Sequence, residues 1–210
     1  MLLINLTNFN ETAMPIARTI QDKLEKASWI RKMFEEGIRL KQEHGADGVF
    51  DLSLGNPVVE PPEMMRRAIV SAAKDLTPGL HRYMPNAGFA DVREVVARSL
   101  SAECGVELKA DYIVMVCGAA GGMNIALKTL LNPGDEVIAF SPFFVEYLFY
   151  SDNHGGKTVT VPTQEDFSLD FDALRQALTT KTRAVIVNSP NNPTGIVYPQ
   201  ETFRQLACWR

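Results

Sequence analysis

Side chains able to hold a ligand are densest in Asn188-Ser189-Pro190-Asn191-Asn192-Pro193-Thr194-Gly195, which follows the apolar run Ala184-Val185-Ile186-Val187 without a spacer. The run suits a strand covered on both faces, and the Pro/Asn/Gly cluster must then leave the sheet. In open α/β sheets the crevice beyond the strand ends is where ligands bind. Asn192, followed by a proline, can donate one fixed hydrogen bond there, and prolines reduce the freedom the loop loses on binding. The plainer alternative is an ordinary Asn-Pro turn.

A second constellation lies upstream. Tyr112-Ile113-Val114-Met115-Val116 runs into Cys117-Gly118-Ala119-Ala120-Gly121-Gly122 and then into a segment carrying Met123, Ile125, Ala126, Leu127 and Leu130. The pattern predicts strand, small-residue turn and helix. Residues without bulky side chains let backbone N–H groups approach an anion, and the positive end of the helix favours its charge, so a phosphate is the natural guest. A simple tight connection gives the same pattern, and the turn is not the GxGxxG of dinucleotide folds. Cys117 reads as a small buried residue, because no acid or base partner stands near it in sequence. A third group, Ser141-Pro142-Phe143-Phe144-Val145-Glu146-Tyr147, ends another apolar run. A flat aromatic there either stacks on a heteroaromatic ring or packs in the core.

Together these segments resemble the class I/II aminotransferases, the fold-type-I enzymes that use pyridoxal 5'-phosphate. Asn192-Pro193-Thr194-Gly195 after a strand carries most of the likeness, supported by the turn at 117–122 and the segment at 141–147. The resemblance implies that Asn192 bonds the phenolic oxygen of the cofactor ring and that Phe144 stacks on its pyridine face. It implies that the backbone amides of Ala119 and Ala120 hold the phosphate, with no side-chain help from Ala120. His81-Arg82-Tyr83-Met84-Pro85-Asn86-Ala87-Gly88 is similar to a family segment whose Tyr reaches the phosphate of the neighbouring subunit, a role that falls on Tyr83. The alternative for Tyr83 is a surface turn. Leu54-Gly55-Asn56-Pro57 is similar to the loop whose Gly contacts the substrate carboxylate, placing Gly55 there. Cis peptides at Ser141-Pro142 and Asn192-Pro193 are also implied.

Transamination needs more than a cradle. A Schiff-base lysine, a carboxylate on the ring nitrogen, and cations for the phosphate and substrate are required, and the family supplies them after this loop. The chain ends at Arg210 with no such lysine motif. Lys74, Lys109, Lys128, Lys157 and Lys181 read as surface residues, while Asp166, Asp170 and Asp172 read as loop and helix-start residues. The expectation is a chain matching the first half of a family member, truncated before its catalytic lysine, inactive alone, and marginally stable or aggregating through exposed sheet edges. No catalytic residue is assigned within it.

The elements that must position these residues alternate regularly after Asp111. Strands are expected near 112–116, 135–140, 157–161 and 183–188, with helices near 121–131, 143–153 and 170–178. Such βα repetition argues a mostly parallel sheet with helices on both faces. The expected fold class is a three-layer α/β/α domain of the aminotransferase large-domain type, incomplete, plus an N-terminal helical arm. Upstream, apolar residues at helical spacing predict one long helix or two over 15–44, a short extended piece at 49–54, and helices over 62–76 and 90–104. A further helix is expected over 199–210. Residues 1–60 are read as an extension, arm and small-domain segment, and 61–210 as the first part of the cofactor-binding domain. Met14 is a possible true start, with residues 1–13 a poorly ordered extension.

Composition limits the alternatives. The 210 residues are 46% hydrophobic and 22% charged, with a formal net charge of −4. That balance suits a globular domain and offers no electrostatic footprint for nucleic acid or an anionic membrane. Cys104, Cys117 and Cys208 form no CxxC pair, which speaks against a zinc site or disulfide framework and for a reducing compartment such as the cytoplasm. No signal peptide or membrane span is read, and the sequons at Asn5 and Asn10 are taken as incidental. The expected partners are a small-molecule amino acid, a 2-oxo acid and a second copy of the full-length protein. A doubly wound nucleotide-binding enzyme and a non-enzymatic interaction module are the rival readings.

Overall fold

A computed structural model describes residues 16–52, 55 and 59–208. Residues 1–15, with the extension and the Met14 start, lie outside the described residues, as do Ser53, Leu54, Asn56, Pro57, Val58 and the last two positions. The chain divides into two compact units, Met1–Leu80 and His81–Arg210.

In the first unit, α1 (Arg18–His44) confirms one long helix rather than two. Gly45, at φ 79°, ends it in a conformation that costs residues with a Cβ. A 3-10 turn at Ala46–Gly48 leads into extended backbone at Val49. Gly37 on α1 is buried, and a Cβ there would come within 3.1 Å of the Asp51 carboxylate Oδ2. Lys41, one turn further on the same face, donates to that oxygen at 2.7 Å. Helix α2 (Glu63–Lys74) follows the Pro61-Pro62 pair, which cannot continue a helix backwards but starts one well.

The second unit is built around a sheet of three parallel strands. These are β1 (Glu136–Ser141), β2 (Lys157–Pro162) and β3 (Thr182–Ile186), ordered β2-β1-β3. β1 pairs with both neighbours, matching Ala139 with Thr160 on one side and Ile186 on the other. The centre of the sheet is therefore the most apolar strand, with Val137, Ile138 and Ala139 fully enclosed. Alternation of side chains sorts the core into two clusters. Ile138, Phe140 and Val161 pack with Leu169, Leu174 and Tyr198 on one face, where α6 (Phe171–Ala177) and α7 (Gln200–Ala207) lie. Val137, Ala184 and Ile186 pack with Met123, Leu127, Leu131 and Tyr150 on the other, under α4 (Gly118–Leu130) and α5 (Glu146–Asp152). The expected helix-sheet-helix layering is present. Enclosing side chains such as Ile138 and Leu174 contributes roughly 1.5–3 kcal/mol each. Asp170 caps α6 as its position suggests, accepting the Ala173 N–H at 2.8 Å.

One expected strand is absent. Ala110–Tyr112 form a 3-10 turn, Ile113 is extended, and residues 113–116 have no strand partner among the described residues. Apolar β-branched residues favour an extended backbone, but a strand is a pairing, and among the described residues the backbone bond holding this segment sideways is Met115 N–H to Ala87 O at 3.0 Å. Val114 and Val116 consequently stay exposed. α3 (Ala90–Cys104) supports the segment from behind, since Arg93 donates to Gly88 O at 3.3 Å and to Ala110 O at 2.7 Å. Two boundaries also shift. α4 starts three residues earlier than expected, and the helix after β1 starts three later, because Pro142-Phe143-Phe144 forms a turn of its own.

Candidate cofactor site

Two loops leave neighbouring parallel strands at the same edge of the sheet. Pro142-Phe143-Phe144 follows β1, and 188–195 follows β3 after Val187. Ser141-Pro142 and Asn192-Pro193 are cis, as the resemblance implies, and Ser189-Pro190 is cis as well. The Asn191 side-chain amide donates to Pro142 O at 3.2 Å, directly joining the two loops. Within the second loop, Asn188 Oδ1 accepts the Asn192 N–H at 2.9 Å, and Ser189 Oγ accepts the Tyr198 N–H at 3.0 Å. These bonds engage Asn192 through its backbone N–H and leave its side-chain amide out. Among the described residues the Asn192 side chain has no hydrogen-bond partner, and it is exposed.

Phe144 is 38% exposed and meets Tyr147 edge-on, with ring centroids 5.8 Å apart. Tyr147 in turn stacks on Phe143 at 6.2 Å and tilts against Tyr150 at 6.4 Å. An edge contact leaves ring faces available for a flat ligand. Burial, and to a lesser degree the neighbouring Tyr150, pushes the Tyr147 phenol up from its usual range, so this phenol stays uncharged at neutral pH.

α4 returns to the same edge. Its C-terminal end meets the start of β1, where Asn132 N–H donates to Asp135 at 2.9 Å. A 13-residue helix spans about 20 Å and a six-residue strand about the same, so its N-terminus stands level with the strand ends. Met123 in its second turn packs in the cluster that contains Ile186, the last residue of β3. No side chain caps this N-terminus, and among the described residues the amides of Ala119 and Ala120 have no acceptor. Gly118 takes φ 68° with open space around it, and a Cβ at Gly121 would meet nothing nearer than Cys117 Cβ at 3.8 Å. The cup is open and carries unspent donors. Cys117 is exposed here rather than buried, because no chain among the described residues covers 116–118.

Tyr83 is fully exposed, at 105% of its reference area, on a loop tied to the segment feeding the cup. The tie is a close approach: a Cβ on Gly88, whose φ is 96°, would lie 2.8 Å from Met115 Cβ. Gly55 belongs to the first unit and is exposed, with nothing within 4 Å of a Cβ placed on it. Phe144 and Asn192, both expected site residues, lie on the two segments that the Asn191 bond to Pro142 joins. The sequence reading missed Asn188, Ser189 and Asn191, whose importance depends on partners that local pattern does not reveal. Asp166 and Asp172 are engaged with Ser168 and Arg175.

Residues 47–209 match the family model described as aminotransferase class I and II, and the chain belongs to that family. It is 38% identical over 158 residues to a probable aspartate/prephenate aminotransferase of Thermus aquaticus, covering 74% of this chain and 40% of that protein. It is 36% identical over 193 residues to aromatic-amino-acid aminotransferase 2 of Thermococcus litoralis, covering 90% and 47%. A solved aminotransferase from Eubacterium rectale superposes with a TM-score of 0.86 at 34% identity, over 92% of this chain and 50% of that one. The chain thus spans a little under half the length of these curated relatives. Neither rival reading finds support in these likenesses.

Proposed function

We propose that this chain forms the cofactor-cradling part of a pyridoxal-5'-phosphate-dependent aminotransferase that moves an amino group between an amino acid and a 2-oxo acid. The observation that carries this reading is the convergence of free α4 amides, an unengaged Asn192 amide and a half-exposed Phe144 ring at one edge of a parallel sheet. The donor set fits the cofactor: peptide N–H groups for a phosphate, an amide for a phenolic oxygen and a flat ring for a pyridine. When bound, pyridoxal phosphate supplies an electron sink for charge developing on the substrate α carbon. In this reading the Ala119 and Ala120 amides bind the phosphate, Asn192 orients the ring, and Phe144 covers one face and excludes water from it. Tyr83 donates its phenol to the phosphate held by a second copy, and the Gly55 backbone receives the substrate carboxylate.

None of the 210 residues is assigned the covalent or proton-moving role, so the chain alone is expected to be inactive. The acceptor and donor are small carboxylates. Three free, exposed thiols among the described residues favour a reducing compartment such as the cytoplasm. No described helix is long and apolar enough to cross a membrane.

A chimera tests the function. Residues 47–209 replace the matching segment of the Thermococcus litoralis relative, and transamination is assayed with and without Asn192→Ala. The chimera is expected to be active, with the substitution lowering kcat/KM by about 10- to 100-fold, as for a lost hydrogen bond to a charged group. A folded, active chimera indifferent to Asn192→Ala contradicts the assignment.

A further inference from the structure

The loop and the turn that present Asn192 and Phe144 come from different strands, so their mutual distance needs a fastener. We propose that Asn191 is that fastener, a positioning residue that fixes the hydrogen-bonding Asn192 and the stacking Phe144 as one clamp on the cofactor ring. The proposal rests on the reading of this edge as a pyridoxal phosphate site.

All polar groups of Asn191 except its side-chain oxygen are committed. Its Nδ2 donates to Pro142 O at 3.2 Å and to Thr194 Oγ1 at 3.0 Å. Its N–H donates to Ile196 O at 2.9 Å, and its carbonyl accepts the Gly195 N–H at 2.7 Å. Thr194 Oγ1 also accepts the Ile196 N–H at 3.3 Å, closing the loop on itself. The bond to Pro142 is different in kind, because it spans 49 positions and reaches the turn two residues before Phe144. Among the described residues it is the hydrogen bond joining the two loops. A hydrogen bond between side-chain amide and carbonyl demands a donor, and an ionised carboxylate in the same place would face the Pro142 carbonyl as a second acceptor.

That asymmetry supplies the test. Binding of pyridoxal 5'-phosphate and, separately, of inorganic phosphate to the 210-residue chain is measured by calorimetry for the native chain, Asn191→Asp and Thr194→Ala, at pH 8. The Asn191→Asp chain is expected to bind pyridoxal phosphate about tenfold more weakly than the native chain at pH 8 while binding inorganic phosphate equally. Thr194→Ala, which leaves the bond to Pro142 intact, should change either affinity less than twofold. Unchanged pyridoxal phosphate binding by Asn191→Asp overturns the proposal. So does a deficit that extends to inorganic phosphate, since that marks general damage. If the native chain binds inorganic phosphate but shows no preference for pyridoxal phosphate, the proposal falls. If it binds neither, the cofactor reading itself falls.

Discussion

At the scale of single residues, the chain divides its polar groups between those that are spent and those that are free. Asp135 is spent: the Asn132 backbone N–H, assisted by the Asn132 amide and by Arg183 at 3.3 Å, holds its carboxyl below the usual range. A lowered pKa in the folded state gives stability that is complete above the unfolded value, about pH 4, and is lost as the pH falls through the folded value. Urea midpoints of the native chain and Asp135→Asn are therefore expected to differ most near neutrality and to converge in acid. A gap that stays constant from pH 7 to pH 3 contradicts this. Ala119 and Ala120 are free, and Ala120→Asp separates binding from stability. A carboxylate in the first turn interacts favourably with the helix dipole, by roughly 0.3–1 kcal/mol, yet repels a phosphate in the cup. The variant should unfold at equal or higher urea concentration while losing phosphate affinity; a parallel loss of both contradicts the cup assignment. Ala119, Ala120, Phe144 and Asn192 were named from the sequence because turn residues, small residues and aromatics make short motifs whose resemblance to a family can be matched. Asn191 was not, because what distinguishes it from Asn192 is a carbonyl 49 positions away.

At the scale of elements, apolar runs and turn residues located β1, β2 and β3 and the helices between them. The run expected as a strand at 112–116 has no strand partner among the described residues. Its composition favours extension, but pairing requires an edge to pair with, and the described residues offer it only Ala87. That single bond, with the close packing of Gly88 on Met115, is what orients the segment that delivers the chain into the cup. Gly88 combines a φ of 96° with a site where a Cβ would fall 2.6 Å from Met115 Cγ. Gly88→Ala is thus expected to destabilise the chain by more than about 1 kcal/mol, read as a lower urea midpoint. A neutral substitution shows that the 81–88 loop and the 113–116 segment are not held together as described.

At the scale of the whole molecule, a well-enclosed β1 coexists with much uncovered apolar surface. β3 has no strand on its outer side among the described residues, and Val114, Val116, Val185 and Val197 are exposed. Open edges and apolar surface of this kind promote association. Sedimentation velocity on the purified chain should show concentration-dependent association, and a stable monomer across the accessible range contradicts that expectation. The central claim is the cradle, and its most direct test is the phosphate dependence of ring binding. Pyridoxal 5'-phosphate and pyridoxal are titrated into the chain in parallel, with Ala120→Asp as the control. The account predicts that the phosphorylated compound binds at least tenfold more tightly, and that Ala120→Asp removes most of that preference. Equal affinity for the two compounds, or a preference that survives Ala120→Asp, would contradict the assignment of the α4 N-terminus as the phosphate cup.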